Sequence, residues 1–374
     1  MRKLASIQRI WDITPIEGAD KIETAHVFGW TCVTGKGDFQ KGDLCVYFEI
    51  DSFLPCNVHF EFLRSKSYKK SNILGEGMYL KTMKFRGQYS QGLVMPLSAF
   101  PEIETEGKAV DELLGMDVTE LLGVRKWEIE ERVTGSGTII GERPAYIPKT
   151  DETRVQSEPT LIQELKGKPY YMTTKMDGSS HSIGLIADEN NPHEYIFNVC
   201  GHNYEYADDG KSSFYEFVKK NGYEKQMRDY IAQHPGMNIK TFVIQGEWCG
   251  PGIQSNPIGL TKAHWFVFTL SINGKRLGMS DNAEEDMFSV AHALSMETVP
   301  VVKEGETFSY STSDELLEKA DGIYEKYDGN GVADHPREGL VIRPKTPEKS
   351  YTISTWLSMK AVSNRYLAKK AKKE

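Results

Sequence analysis

Two runs near the start of the chain, HVFGWTCVTGKGDF (residues 26–39) and GDLCVYFEIDSFLP (residues 42–55), set the tightest limits on its architecture. They are dense in β-branched and aromatic residues and are cut by Gly, Asp and Pro, the chemistry of short strands joined by tight turns. Gly29, Gly35, Gly37 and Gly42 fall where such strands need turns or bulges to close into a small barrel. The first 120 or so residues are therefore expected to form an all-β unit.

A second core must lie beyond it. At 374 residues the chain exceeds what one core usually organises, and 39% hydrophobic residues supply material for two. Residues 124–157 (VRKWEIEERVTGSGTIIGERPAYIPKTDETRVQS) are charged and polar, with Gly-Ser and Pro punctuation, so the boundary is expected there. The expected division is a barrel domain over 1–125, a linker over 126–145 and a second domain over 146–374. In that second part the strand-like runs YYMTTKM, FVIQGEW, HWFVFTLS, GLVIRP and WLSMKAV alternate with helical patterns. Residues 212–233 read as an amphipathic helix or a helix pair. In STSDELLEKADGIYEKY, Thr312 and Glu315 suit a capping box, followed by Leu316, Leu317, Ala320, Ile323 and Tyr324 at helical spacing. The fold class expected is α+β with antiparallel sheets.

Several function classes are disfavoured early. No apolar run approaches the roughly 20 residues that span a bilayer, and MRKLASIQRIW lacks the marks of a secretory signal. The five cysteines, Cys32, Cys45, Cys56, Cys200 and Cys249, are scattered and never spaced as CxxC. Reduced thiols in the cytoplasm are expected, without a zinc site. The net charge, 45 − 53 = −8, argues weakly against nucleic-acid binding but does not preclude a locally basic groove. The clear basic cluster is terminal: Lys369, Lys370, Lys372 and Lys373. A solvated tail and a nucleic-acid contact are both open readings of it.

The chemistry-bearing residues follow an order. KMDG places Lys175, Asp177 and Gly178 directly after an apolar strand-like run. GEWCGPGIQ then offers Glu247, and HWFVFTLS offers Phe266 and Phe268 on one strand face. EGLVIRP offers Glu338 and Arg343, and LSMKAVSNRYL offers Lys360. Alone, each has a bland reading: a turn, a surface acid, a core aromatic. A lysine with the ordinary value near 10.4 is only roughly 0.1% neutral at physiological pH, so a nucleophilic Lys175 would need cations nearby to lower it.

Taken in order, K-x-D-G, G-E, an aromatic strand, E-G-φ-φ-I-R and φ-K resemble the covalent nucleotidyltransferase superfamily of ligases and capping enzymes, over roughly residues 146–367. GEWCGPGIQSN and SMKAVSNRYL are similar to phage-type RNA ligases. IPKTDETRVQS and the opening PIEGADKIETAHVFGW, which resembles OB-fold modules, are similar to the Deinococcus-type RNA ligases with an N-terminal OB-like domain. The resemblance implies an ATP-grasp-like nucleotidyltransferase domain behind a small β-barrel. It also implies an ATP-dependent RNA ligase in which Lys175 forms lysine-AMP, passes AMP to a 5′-phosphate and seals it to a 3′-OH. Glu247 would hold the ribose, Phe268 stack on adenine, Glu338 serve Mg²⁺ or Mn²⁺, Lys360 touch the α-phosphate and Arg343 aid phosphate contacts. RNA, or a nicked RNA/DNA duplex, would be the partner, with no membrane and no obligate protein partner.

Two departures stand out. The phage-type enzymes carry a second lysine where this chain has Val362, so a cation would come from elsewhere, with Arg365 and Lys345 as candidates. NVCGHNYEY places His202 and Asn203 where the family usually has an arginine, which makes both candidates for substrate or phosphate contact. The alternatives are a GTP-dependent capping guanylyltransferase, expected to carry an OB domain after Lys360, and a non-catalytic nucleic-acid binder with a decayed ligase domain.

Overall fold

The computed structural model describes residues 2–127, 137–191, 194–325 and 335–373. The chain divides into two compact units. One comprises residues 1–131, 156–159 and 367–374, the other residues 132–155 and 160–366.

In the first unit the strand Leu44–Phe48 lies between Ala5–Arg9 and Leu93–Pro96, antiparallel to both. Successive side chains of a strand point to opposite faces. Val46 and Phe48 accordingly enter one apolar cluster with Ile7, Leu54 and Phe60, and Cys45 and Tyr47 enter another with Val27 and Trp30. The strand is therefore buried on both faces. A meander of Asp12–Pro15, Ile22–Val27 and Trp30–Gly35, and a sheet ordered Arg125–Lys126, Ser52–Pro55, Gly75–Tyr79 and Tyr68–Ser71, complete most of the unit.

The second unit holds two sheets. The seven-stranded one runs Ile139–Glu142, Tyr204–Tyr206, Tyr195–Cys200, Ser179–Ala187, Thr241–Cys249, His264–Ile272 and Lys275–Arg276, antiparallel throughout. One face packs on the helices Ser213–Lys220, Tyr223–Gln233 and Met287–Ala293, with Phe242, Ile244, Trp265 and Leu270 among the buried residues. The five-stranded sheet runs Thr153–Arg154, Met359–Val362, Gly339–Pro344, Tyr170–Lys175 and Val301–Gly305. It packs on the helices Thr160–Leu165 and Ser313–Ala320.

The capping box forms: Glu315 N–H donates to Thr312 Oγ1 and Thr312 N–H to Glu315 Oε2. The helix nevertheless stops at Ala320, short of Ile323 and Tyr324. Asp321 leaves the helical region, accepting instead from Ser363 Oγ. Tyr324 is buried away from the helix, its hydroxyl accepting from the Glu338 N–H. Helical spacing persists in the sequence past the point where Asp321 leaves the helix for a long-range contact. Of the stretch expected as a linker, residues 128–136 lie outside the described residues. Lys126 pairs with Ser52, and Ile139–Glu142 edges the seven-stranded sheet.

Candidate active site

Lys175 ends the strand Tyr170–Lys175, whose register sets it opposite Gly339, the residue after Glu338. That pairing brings the Lys175 ammonium to 2.7 Å from Glu338 Oε2, although 163 residues separate them. The chain turns at once into Ser179–Ala187, where Ser180 pairs with Glu247. The Gly178 N–H donates to Glu247 Oε1 at 3.1 Å. Gly178 is a glycine because a Cβ there would strike the Trp248 carbonyl and Cys249 Sγ.

Phe268 reaches the site through a bulge. Gln245 pairs with Thr269 but Gly246 with Val267, which leaves Phe268 as the extra residue. Trp265 and Val267 face the helices, and after the bulge Leu270 and Ile272 resume that face. Phe266 and Phe268 therefore project to the other side, with Met176 and Tyr324.

Lys175, Glu247, Phe268, Arg343, Lys360 and His202 all line one pocket. Thr150 and Ser180 on its lining carry hydroxyls without a hydrogen-bond partner among the described residues. Asn203 does not line it; its side chain accepts from Lys149 at 2.9 Å. Arg143 braces this turn from below, donating to the Gly201 and His202 carbonyls.

The electrostatics differ from the expected cationic surroundings. Burial alone would lower the Lys175 ammonium, but Glu338, Glu247 and Asp177 outweigh it and raise the group. Lys360 behaves oppositely. Burial lowers it, and Lys175 and Arg154 push the same way against its 2.7 Å pair with Asp151. Burial pushes the Glu247 carboxyl up, with Glu338 and Asp177 adding and Lys175 opposing, to about 8.

That value sets a pH dependence. A carboxyl raised on folding contributes stability that is complete below its unfolded value, roughly 4.3, and is lost as pH climbs through about 8. Lys175 titrates above this window in both states and adds no slope. The Tm of nucleotide-free protein should fall as pH rises from about 5 to about 8 and level off above it, and Glu247→Gln should flatten the fall. Identical slopes in both proteins would show Glu247 already ionised at neutral pH.

Arg343 is committed within the protein. It is buried, pairs with Glu152 at 2.6 Å, donates to Ser358 Oγ at 3.2 Å and holds the carbonyl of Phe268. Burial would push Glu152 up, but Arg343 and Arg276 hold it at about 2. Neither candidate for the missing lysine lines the pocket: Lys345 pairs with Glu306 and Glu304, and Arg365 is exposed. Arg154 is the register partner of Lys360. Sequence reasoning passed over Asp151, Glu152 and Arg154 individually because TDETR read as a polar junction. It also passed over Tyr366, whose buried hydroxyl donates to Asp177 Oδ2.

A half-buried amine among carboxylates, an aromatic at a bulge and a second lysine around one pocket could equip a chain for nucleotidyl transfer through lysine. The comparisons agree with that class. An RNA ligase family model matches residues 168–362, and an OB-fold domain model matches residues 4–97. Among solved structures, a lysine-to-methionine mutant of the Naegleria gruberi RNA ligase with AMP and Mn is 33% identical, with a TM-score of 0.80, covering 98% of this chain and 99% of that one. The same ligase with PPi is 33% identical, with a TM-score of 0.79 and 100% of each chain covered. A lysine-to-alanine mutant with ATP and Mn is 32% identical, with a TM-score of 0.80, over 98% and 99%. No curated protein matches the sequence. The chain belongs to the RNA ligase family, with an OB-fold domain ahead of the ligase domain. Members of that family act on RNA. Among the described residues no helix is long and apolar enough to cross a membrane.

Proposed function

We infer that this chain seals RNA by an ATP-dependent route whose covalent centre is Lys175. The observation that carries the reading is the convergence of Lys175, Glu247, Phe268 and Lys360 on one pocket, with Glu338 at 2.7 Å from the amine. Lys175 Nζ attacks the α-phosphorus of ATP, the bond to pyrophosphate breaks, and a P–N bond forms. The AMP then passes to an RNA 5′-phosphate, and a 3′-OH displaces it to leave a phosphodiester.

The residues divide this work. Phe268 offers its ring to adenine, a contact worth about 1–3 kcal/mol by analogy with base stacking. Glu247 holds the ribose hydroxyls, kept in place by the Gly178 N–H. Lys360, on the pocket lining, meets the phosphates, with Arg154 as its register partner. Arg343 acts on the adenine site by holding the Phe268 carbonyl. His202 is placed on the lining for a phosphate or strand contact; Asn203, tied to Lys149, steadies that turn. Asp177 is oriented by Tyr366.

Carboxylate oxygens suit a hard divalent cation, and among the described residues no three protein ligands form a cage. Glu338 therefore fits Mg²⁺ or Mn²⁺ that keeps water and phosphate oxygens as its other ligands. Held there, the ion would supply charge neutralisation at the phosphates, and a Glu338 engaged with it would stabilise the Lys175 ammonium less.

The division of labour we propose sets residues 1–125 as the strand-handling domain, 126–145 as linker and 146–374 as the nucleotidyltransferase. The substrate fitting this division is a nick or break in RNA or an RNA/DNA duplex. The free cysteines suit a reducing compartment. The test is a nicked duplex with RNA termini, a 5′-phosphate and 3′-OH, given ATP or GTP with Mg²⁺ or Mn²⁺. Sealing with ATP alone is expected. GTP labelling of the protein would indicate a capping enzyme, and no label from either nucleotide would leave a non-catalytic binder.

A further inference from the structure

The lysine pocket leaves unexplained a concentration of cations in the β-barrel unit. From Lys81 to Pro101 the sequence contains Lys81, Lys84 and Arg86 and no carboxylate. Residues 364–373, NRYLAKKAKK, contain none either. Structure joins these two acid-free segments. Leu367 packs against the barrel cluster that includes Ile10, Val27 and Trp30. The Lys81 ammonium donates to the Ala371 carbonyl at 2.6 Å. Lys84, Arg86, Lys369, Lys370 and Lys372 are all exposed.

The hairpin tip is shaped for display. Met83–Phe85 pairs with Gln88–Ser90 through the two-residue loop Arg86–Gly87, with φ of 45° and 91°. Left-handed backbone at both positions favours Asn or Gly, so an arginine at the first carries a conformational cost in exchange for a guanidinium at the tip. Phe85 beside it is 37% exposed, and the Lys84 ammonium stands 4.8 Å from the centre of the Tyr89 ring.

We propose that the hairpin Met83–Ser90 and the last turns of the helix Asn364–Lys373 form one docking surface for the phosphate backbone of the RNA to be sealed. The proposal rests on the RNA-ligase reading and adds where the substrate is gripped. A chain of net charge −8 repels a polyanion at long range, so productive encounter needs cations gathered on one surface. Each phosphate neutralised releases counterions, and the exposed Phe85 ring adds a face on which a base can stack. An acidic peptide would meet the same cations but has no use for that ring.

The experiment measures binding of a fluorescent nicked RNA duplex by anisotropy from 50 to 200 mM salt. It uses the double variants Lys84→Ala/Arg86→Ala and Lys369→Ala/Lys370→Ala, with lysine adenylylation followed in parallel. Each variant should bind about tenfold more weakly at low salt, with a log–log salt slope shallower by about 1.4–1.8, that is two contacts at roughly 0.7–0.9 each. Their Tm and their adenylylation from ATP should match wild type, and Lys84→Arg should retain binding. Unchanged affinity and slope in both variants overturn the proposal. Failure of the ligase reading would show differently, as wild-type protein that takes no AMP from ATP.

Discussion

Lys175→Met protein incubated with ATP and Mg²⁺ takes up no AMP, whereas wild-type protein gains one adenylyl group in its intact mass. The expected loss is complete to background, since Lys360, the other lysine on the pocket lining, is assigned to the phosphates and not to the nucleophile's part. Removing a covalent nucleophile removes the step and does not merely slow it. Lys175→Arg separates chemistry from architecture. Its guanidinium keeps a positive partner for Glu338 but cannot serve as the nucleophile. It should match wild type in Tm and still take no label. Both variants should seal a strand supplied already adenylylated at its 5′-phosphate, because that step needs no lysine-AMP. An adenylyl adduct on Lys175→Met, mapped to any other residue, would refute the assignment.

Glu338→Gln gives the second large effect, and its sign is diagnostic. The Glu338 carboxylate, after burial, contributes most to the Lys175 environment and raises the ammonium. If that were its only role, neutralising it would lower the lysine toward neutrality and speed adenylylation at pH 7. If Glu338 also holds the divalent ion, the variant loses several kcal/mol of charge stabilisation, and the rate falls by about 10²–10³-fold. We expect the fall, partly recovered at high Mn²⁺. Single-turnover labelling across metal concentration reads it directly. A variant faster than wild type at neutral pH would assign Glu338 to proton control alone.

How much of this was legible beforehand varied with the kind of signal. Strand chemistry over residues 26–55 marked the barrel, since turn residues and alternating apolar residues act locally. The lysine, the two acids and the aromatic strand were visible as types in an order. The end of the helix at Ala320 was not, because Ile323 and Tyr324 kept helical spacing while Asp321 turned to Ser363. The family resemblance implies phosphate contacts for Arg343, and only packing shows that Glu152, Ser358 and the Phe268 carbonyl engage it.

Local grammar came from the sequence alone: two sets of strands, a capped helix, and the candidate residues for a lysine-AMP bond. Tertiary structure decided how they meet. Register across the five-stranded sheet set Glu338 against Lys175, and a one-residue bulge turned Phe268 inward. It also decided the charge around the amine, surrounding it with carboxylates where cations were expected. The physical reason is that propensity and periodicity act over a few residues. Charge coupling and side-chain direction depend instead on pairings between residues as far apart as 163 positions.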